Sequence, residues 1–192
     1  GDVTRISRNS AFREKRFSSL RTRWNRGGLE TVLSEEEEKC QLLGQLGINV
    51  NLGPVCDIAT DSGAFLYSRS LGQDAVSAIV NLMSQNHIGS VLKHFPGYGN
   101  NADTHTGIAQ DSRSLAELEG KDLLPFAAGI QAGCGAVMVG HVIVEAMDGS
   151  LPASLSPAVH EYLRDTMGFT GVIMTDDLVM QAITDQYGAG EA

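Results

Sequence analysis

The sequence predicts an α/β fold built from parallel βα units, and three observations carry that expectation. Apolar runs of strand length alternate along the chain with longer segments of helical periodicity. The strand-like runs end, one after another, in ionisable residues: Asp57, Lys93 with His94, His141, and Asp176. The chain has 192 residues with 42% hydrophobic content, enough to bury a sizeable core in one domain. A charged residue at a single strand end is commonplace. Four in succession converge on one rim, because parallel strands joined by right-handed crossovers finish on the same side of a sheet. That rim is where active sites gather in both open α/β sheets and (β/α)8 barrels.

Residues 1–28 are arginine-rich and irregular, which predicts a long loop with at most short helical turns. From Leu29 to Leu46, apolar residues at helical spacing surround the run Glu35 to Glu38 and stop at Gly47, the pattern of an amphipathic helix with a solvated acidic face. Ile48 to Val55 alternates and is bounded by Gly47 and Gly53-Pro54, so it reads as a strand delivering Asp57. A loop over Ala59 to Gln73, a helix over Ala75 to Gln85 and a strand over Ser90 to His94 follow. Ser114 to Ala132 is helical by pattern, Ala136 to Val139 is a short strand ending at Gly140-His141, a helix runs from about Pro157 to Met167, and Gly171 to Met174 is the last clear strand.

The densest signal lies between Val91 and His105. An apolar strand ends in Lys93 and His94, Pro96, Gly97 and Gly99 force a tight turn, and Asp103 and His105 follow on a polar, glycine-flanked segment. Neither the dinucleotide fingerprint nor the P-loop pattern is present, since Gly97-Tyr98-Gly99 lacks a third glycine. No two of His87, His94, His105, His141 and His160 share a helix at metal-binding spacing, so no metal and no cofactor are expected.

Composition narrows the partners. A net charge of −9 argues against nucleic acid and against an anionic membrane, and favours a neutral or cationic small ligand. Cys40, Cys56 and Cys134 are odd in number and widely spaced, which points to core thiols in a reducing, cytoplasmic compartment. No apolar run approaches the ~20 residues needed to span a bilayer. Gly1 has the look of a cut end, with neither an initiator Met nor a signal-like start.

Together these motifs resemble glycoside hydrolase family 3, and within it the bacterial β-N-acetylhexosaminidase branch. The resemblance is carried by Lys93-His94-Phe-Pro-Gly-Tyr-Gly99, Asp103-Thr-His105, Asp111-x-Arg113, Gly140-His-Val142, Pro152-Ala-Ser-Leu-Ser156 and Gly171-Val-Ile-Met-Thr-Asp-Asp177, in that order. It extends upstream through Gly47 to Asp57 and Ser68 to Gly72, covering nearly the whole chain. Tyr98 stands where the family often has His.

The resemblance implies a TIM-type (β/α)8 barrel and a retaining, exo-acting hydrolase that removes terminal β-linked N-acetylglucosamine, including from peptidoglycan fragments. Its nucleophile would be Asp176, forming a covalent glycosyl intermediate, and its acid/base would be His105 assisted by Asp103. A His fits that task because it titrates near neutrality and an adjacent carboxylate supports its charged form. Lys93, His94 and Arg69 would bind sugar hydroxyls, with Asp57 beside them either touching ligand or orienting neighbours. Arg113 and His141 would be supporting groups.

About four clear parallel βα units are recognisable where a full barrel has eight. Residues 1–192 are therefore expected to form a single catalytic barrel domain truncated at both ends, completed by a further segment or by a homo-oligomeric partner. The alternatives are a β-glucosidase, β-xylosidase or glycoside phosphorylase of the same family, or a noncatalytic sugar-binding module.

Overall fold

In a computed structural model, residues 3–101, 107–187 and 190–191 are described. The first long element, α1 (Leu20–Gln45), starts nine residues earlier than the sequence pattern indicates, within the stretch expected to be loop. Ser19 caps it by accepting the Thr22 N–H at 3.2 Å. Its backbone leaves the helical region at Gly27 and Gly28, the latter at φ 62°, so two helical segments meet at a kink. That kink folds Arg23 back onto the second segment, where it is fully buried and donates to Glu36 at 2.6 Å. Lys39 donates to the same carboxylate oxygen at 2.6 Å. The glutamate run is thus not wholly a solvated face: Glu36 turns inward to neutralise two buried cations.

Strands β1 (Val50–Asn51), β2 (Gly89–Phe95), β4 (Ala136–Val139) and β6 (Val172–Thr175) form one sheet, all parallel, in the order β1-β2-β4-β6. Two short strands, β3 (Gln110–Asp111) and β5 (Ile143–Val144), pair with each other in the segments that follow β2 and β4. The main order never reverses along the chain. A doubly wound sheet would show a reversal at its switch point. Successive parallel βα units laid side by side are the arrangement of part of a (β/α)8 barrel, with β1 and β6 at its open edges among the described residues. Val50 at one edge and Val172 at the other are 49% and 59% exposed, whereas β2 between them is buried from Ser90 onward.

The first strand is shorter than expected because Pro54 has no N–H to give to the ladder. Pairing resumes beyond it, where the Cys56 N–H donates to the Lys93 carbonyl at 2.6 Å. Helix α2 (Gln73–Gln85) packs against α1 and buries Ala75, Val76, Ile79, Val80 and Met83 on one face. The helix expected over Ser114 to Ala132 is broken. α3 (Leu115–Glu117) passes into a wider turn closed by the Leu123 N–H on the Leu118 carbonyl at 2.9 Å, and α4 (Leu124–Gln131) restarts with Pro125 in its first turn. Proline cannot donate within a helix interior but is tolerated at a start. α5 (Pro157–Glu161) likewise ends in a wider turn, and α6 (Gln181–Thr184) follows the last strand.

Phe95, Val137 and Val139 of the sheet pack with Phe126 and Leu163 to form the main core; Val32, Leu43, Ile79 and Met83 form a second one between α1 and α2. Cys40, Cys56 and Cys134 are buried in these layers as free thiols. No helix of the described residues is long and apolar enough to cross a membrane.

Candidate active site

The ends of β1, β2, β4 and β6 bring Asp57, His94, His141 and Asp176 together. In the β2–β4 ladder Lys93 pairs with Met138 and Phe95 with Val139, so His94 is the extra residue of a bulge. A bulge releases a residue from the ladder and re-aims its side chain. The freed His94 N–H donates to Asp57 Oδ2 at 3.0 Å, and His94 Nδ1 lies 2.9 Å from the same oxygen. The Tyr98 N–H donates to Asp57 Oδ1 at 2.8 Å. Burial pushes the Asp57 carboxyl up, but His94 and the two backbone N–H groups outweigh it and hold the group below its ordinary value. An ionised carboxylate only accepts, so Nδ1 carries the imidazole proton. Nε2 is thereby aimed at Asp176, whose Oδ2 lies 3.9 Å away. That gap is too long for a hydrogen bond.

Asp57 is fully buried and both its oxygens are engaged. In this arrangement it holds His94 and the turn at Tyr98.

Asp176 continues β6. Its N–H donates to the Val139 carbonyl at 2.8 Å, and Asp176 Oδ1 accepts the Asp177 N–H at 2.9 Å. Its side chain remains 20% exposed. Asp177 is exposed and points elsewhere, with Oδ1 accepting the Val179 N–H at 3.1 Å. His141 is fully buried, with Nδ1 2.7 Å from Ser154 Oγ and Nε2 3.0 Å from the Asp177 carbonyl oxygen. Burial lowers its pKa, partly offset by the Asp177 carbonyl and the nearby carboxylates.

Tyr98 is buried among these groups. Its ring meets His94 edge-on at 5.5 Å and Phe65 at 5.4 Å, and its hydroxyl accepts the His141 N–H at 3.4 Å. Gly140 lies beneath: a Cβ there would sit 3.0 Å from Tyr98 Cε2 and 3.2 Å from His94 Cβ. Gly140→Ala is expected to destabilise the protein by about 1–3 kcal/mol through this overpacking. A denaturant midpoint unchanged from the parent would contradict the packing.

The turn that leaves β2 is held from below. Arg113 donates to both oxygens of Asp111 and, at 2.6 Å, to Asp122 Oδ2. Hydrogen bonds to Asp111 and Asp122 outweigh burial and hold the guanidinium more firmly protonated than usual. Gly99, at φ 57°, lies so close that a Cβ would be 2.8 Å from Arg113 Nη2. Asp122 is a group the sequence reading missed. Its signal was an acid on the buried face of an apolar helical stretch.

Lys93 is buried within β2 next to His94. Arg69 ends a short turn, Tyr67–Arg69, in the segment after β1 and is half-buried. No hydrogen bond or ion pair ties Arg69 to the cluster among the described residues. Asp103 and His105 lie outside the described residues. No group of three or more His, Cys, Asp or Glu side chains is disposed to hold a metal among the described residues.

Residues 5–192 match the family described as "Glycosyl hydrolase family 3 N terminal domain". The chain is 38% identical over 144 residues to a β-hexosaminidase of Stenotrophomonas maltophilia, covering 71% of this chain and 42% of that protein. It is 33% identical over 165 residues to a β-hexosaminidase of Nitrosomonas eutropha, covering 82% and 45%. Among solved structures, a glycosyl hydrolase of the same family from Mycobacterium smegmatis superposes with a TM-score of 0.82 at 31% identity, over 92% of this chain and 57% of that one. A family 3 β-N-acetylglucosaminidase from Paenibacillus gives a TM-score of 0.78 at 32% identity, over 86% and 33%. The chain thus spans less than half the length of these curated relatives.

Proposed function

The chain belongs to the glycosyl hydrolase family 3 N-terminal domain family, and from that premise we propose that the protein carrying it is a retaining, exo-acting glycosidase that removes terminal β-linked N-acetylglucosamine. Residues 1–192 are its catalytic barrel domain or part of it. The carrying observation is Asp176, a part-exposed carboxylate at the end of β6 that faces His94 Nε2 across 3.9 Å. The β-hexosaminidase names of its relatives support the choice of sugar.

In this reading Asp176 attacks the anomeric carbon while the glycosidic oxygen leaves with a proton from His105, oriented by Asp103. His105 then takes a proton from water, which attacks the same carbon, frees Asp176 and restores the β configuration. Two inversions make one retention. Lys93, His94 and Arg69 bind the hydroxyls of the terminal sugar, and Asp57 keeps the His94 ring in place. Because Asp57 fixes the proton on Nδ1, Nε2 is the atom that faces the sugar. Holding the sugar by several polar groups at once places the anomeric carbon for attack, an effect that can supply several kcal/mol of the barrier.

The test is turnover of p-nitrophenyl β-glycosides of N-acetylglucosamine, glucose and xylose by the whole protein. Preference for the N-acetylglucosaminide with retained configuration is expected. Preference for glucoside or xyloside would replace the substrate assignment, and absence of turnover on all three would remove the enzymatic reading.

A further inference from the structure

We propose that His141 is a positioning residue for Asp176, acting through the Asp177 carbonyl. The inference rests on the reading of Asp176 as nucleophile. A carbonyl oxygen only accepts, so the 3.0 Å contact requires the proton on His141 Nε2. Nδ1 then has only a lone pair to present, and at 2.7 Å it takes the Ser154 hydroxyl proton. Ser154 is fixed in turn, its N–H donating to the Gly140 carbonyl at 3.0 Å. The His141 backbone N–H is bound to the Tyr98 hydroxyl. Every polar atom that sets the ring's angle is therefore engaged.

The end of β4 grips the candidate nucleophile at two points. Val139 accepts the Asp176 N–H at 2.8 Å, and two residues later His141 donates to the Asp177 carbonyl. Between these points lies the peptide whose N–H, on Asp177, donates to Asp176 Oδ1 at 2.9 Å. That peptide orients the carboxylate: its N–H occupies one oxygen and leaves Oδ2, the oxygen nearest His94, as the one to attack. Loss of the His141 bond would let the peptide rotate about its flanking single bonds, and the carboxylate would turn with it. Asp177 is exposed, so water would donate to the released carbonyl and the loop would not unfold. The expected defect is in alignment more than in folding. A histidine with both nitrogens committed to protein atoms has none for the sugar, so His141 does not bind substrate.

The test uses the whole protein and p-nitrophenyl N-acetyl-β-glucosaminide, with kcat/KM, the Kd of free N-acetylglucosamine and the thermal midpoint measured for each variant. His141→Leu is expected to lower kcat/KM by ~100-fold, the scale of a misplacement near 1 Å. Its Kd for N-acetylglucosamine should stay within about threefold of the parent, since the sugar-binding groups on β2 are untouched. His141→Gln keeps an N–H near the Nε2 position and should recover about tenfold of the loss. Ser154→Ala removes the group that fixes the ring and should show a smaller loss of the same kind. A purely structural role would lower the thermal midpoint while leaving kcat/KM per folded molecule within about threefold, and that result overturns the inference. So does a Gln variant no better than Leu. Asp176→Asn, run alongside, separates the failures: an inactive Asp176→Asn with a fully active His141→Leu removes only the positioning role, whereas an active Asp176→Asn removes the nucleophile assignment and this inference with it.

Discussion

Asp176→Asn should lower turnover of the N-acetylglucosaminide by roughly ten-thousand-fold or more, the scale on which removal of a hydrolase nucleophile acts, with the fold intact. The amide oxygen is too weak a nucleophile to form the glycosyl intermediate. It can still accept the Asp177 N–H that Oδ1 accepts in the parent, so the local backbone has no reason to move. The adjacent Asp177→Asn serves as the control. Asp177 is exposed and its Oδ1 takes only the Val179 N–H, which an amide oxygen also accepts, so its turnover should fall by no more than a few-fold. Two neighbouring acids with opposite outcomes would distinguish a reacting carboxylate from a turn-capping one. Equal losses, or a larger loss at Asp177, would move the nucleophile assignment off Asp176.

Asp57→Ala should be the most destabilising single change at the strand ends, by about 3–5 kcal/mol, because it leaves several buried donors without an acceptor. Three donors lose their acceptor at once: His94 Nδ1–H, the His94 N–H and the Tyr98 N–H. Asp57→Asn should be intermediate. Its amide places a donor against either the Tyr98 N–H or the two His94 donors, and one end of the group is mismatched whichever way it turns.

The same site carries a pH signature. The folded-state pKa of Asp57 is depressed below the ordinary 3.8. Its contribution to stability is therefore complete above that value and lost as the pH falls through the lower folded value. Parent protein should lose stability below about pH 4, and Asp57→Asn should show a shallower acid slope. Asp148, brought down to about 2 by hydrogen bonds from Ser156 and Ser150, titrates in the same acid window. The difference between parent and variant isolates Asp57. Identical acid slopes for the two would show that Asp57 gains nothing from its partners.

Much of this arrangement was legible before any coordinates. The order of strand-ending residues needed only apolar runs, glycine and proline punctuation and the rule that parallel units share a rim. What failed did so for local reasons. The arginine-rich segment before Leu29 gave no amphipathic stripe, because its helical turn is stabilised by a tertiary ion pair between Arg23 and Glu36. The helix expected from Ser114 to Ala132 had continuous periodicity, and Pro125 was the one sign that it restarts. The pairing of β3 with β5 carried no signal at all, since two-residue strands are too short for any period to register.

For the candidate site the division is sharper. Which chemical groups arrive at the rim, and in what order, is legible in the chain: carboxylate, ammonium with imidazole, imidazole, carboxylate. Covalent order and hydrophobic period suffice for that. Which partners each group meets is set by the tertiary fold, because that depends on who donates to whom. Asp57 and Asp176 are both acids at strand ends. One is buried against three donors and serves as an anchor, and the other keeps an exposed oxygen facing His94. His94 and His141 are both strand-end imidazoles, yet one turns a nitrogen towards Asp176 and the other has both engaged by protein atoms. Those differences arise from burial and hydrogen-bond direction across strands far apart in the chain, and no local pattern of residues encodes them.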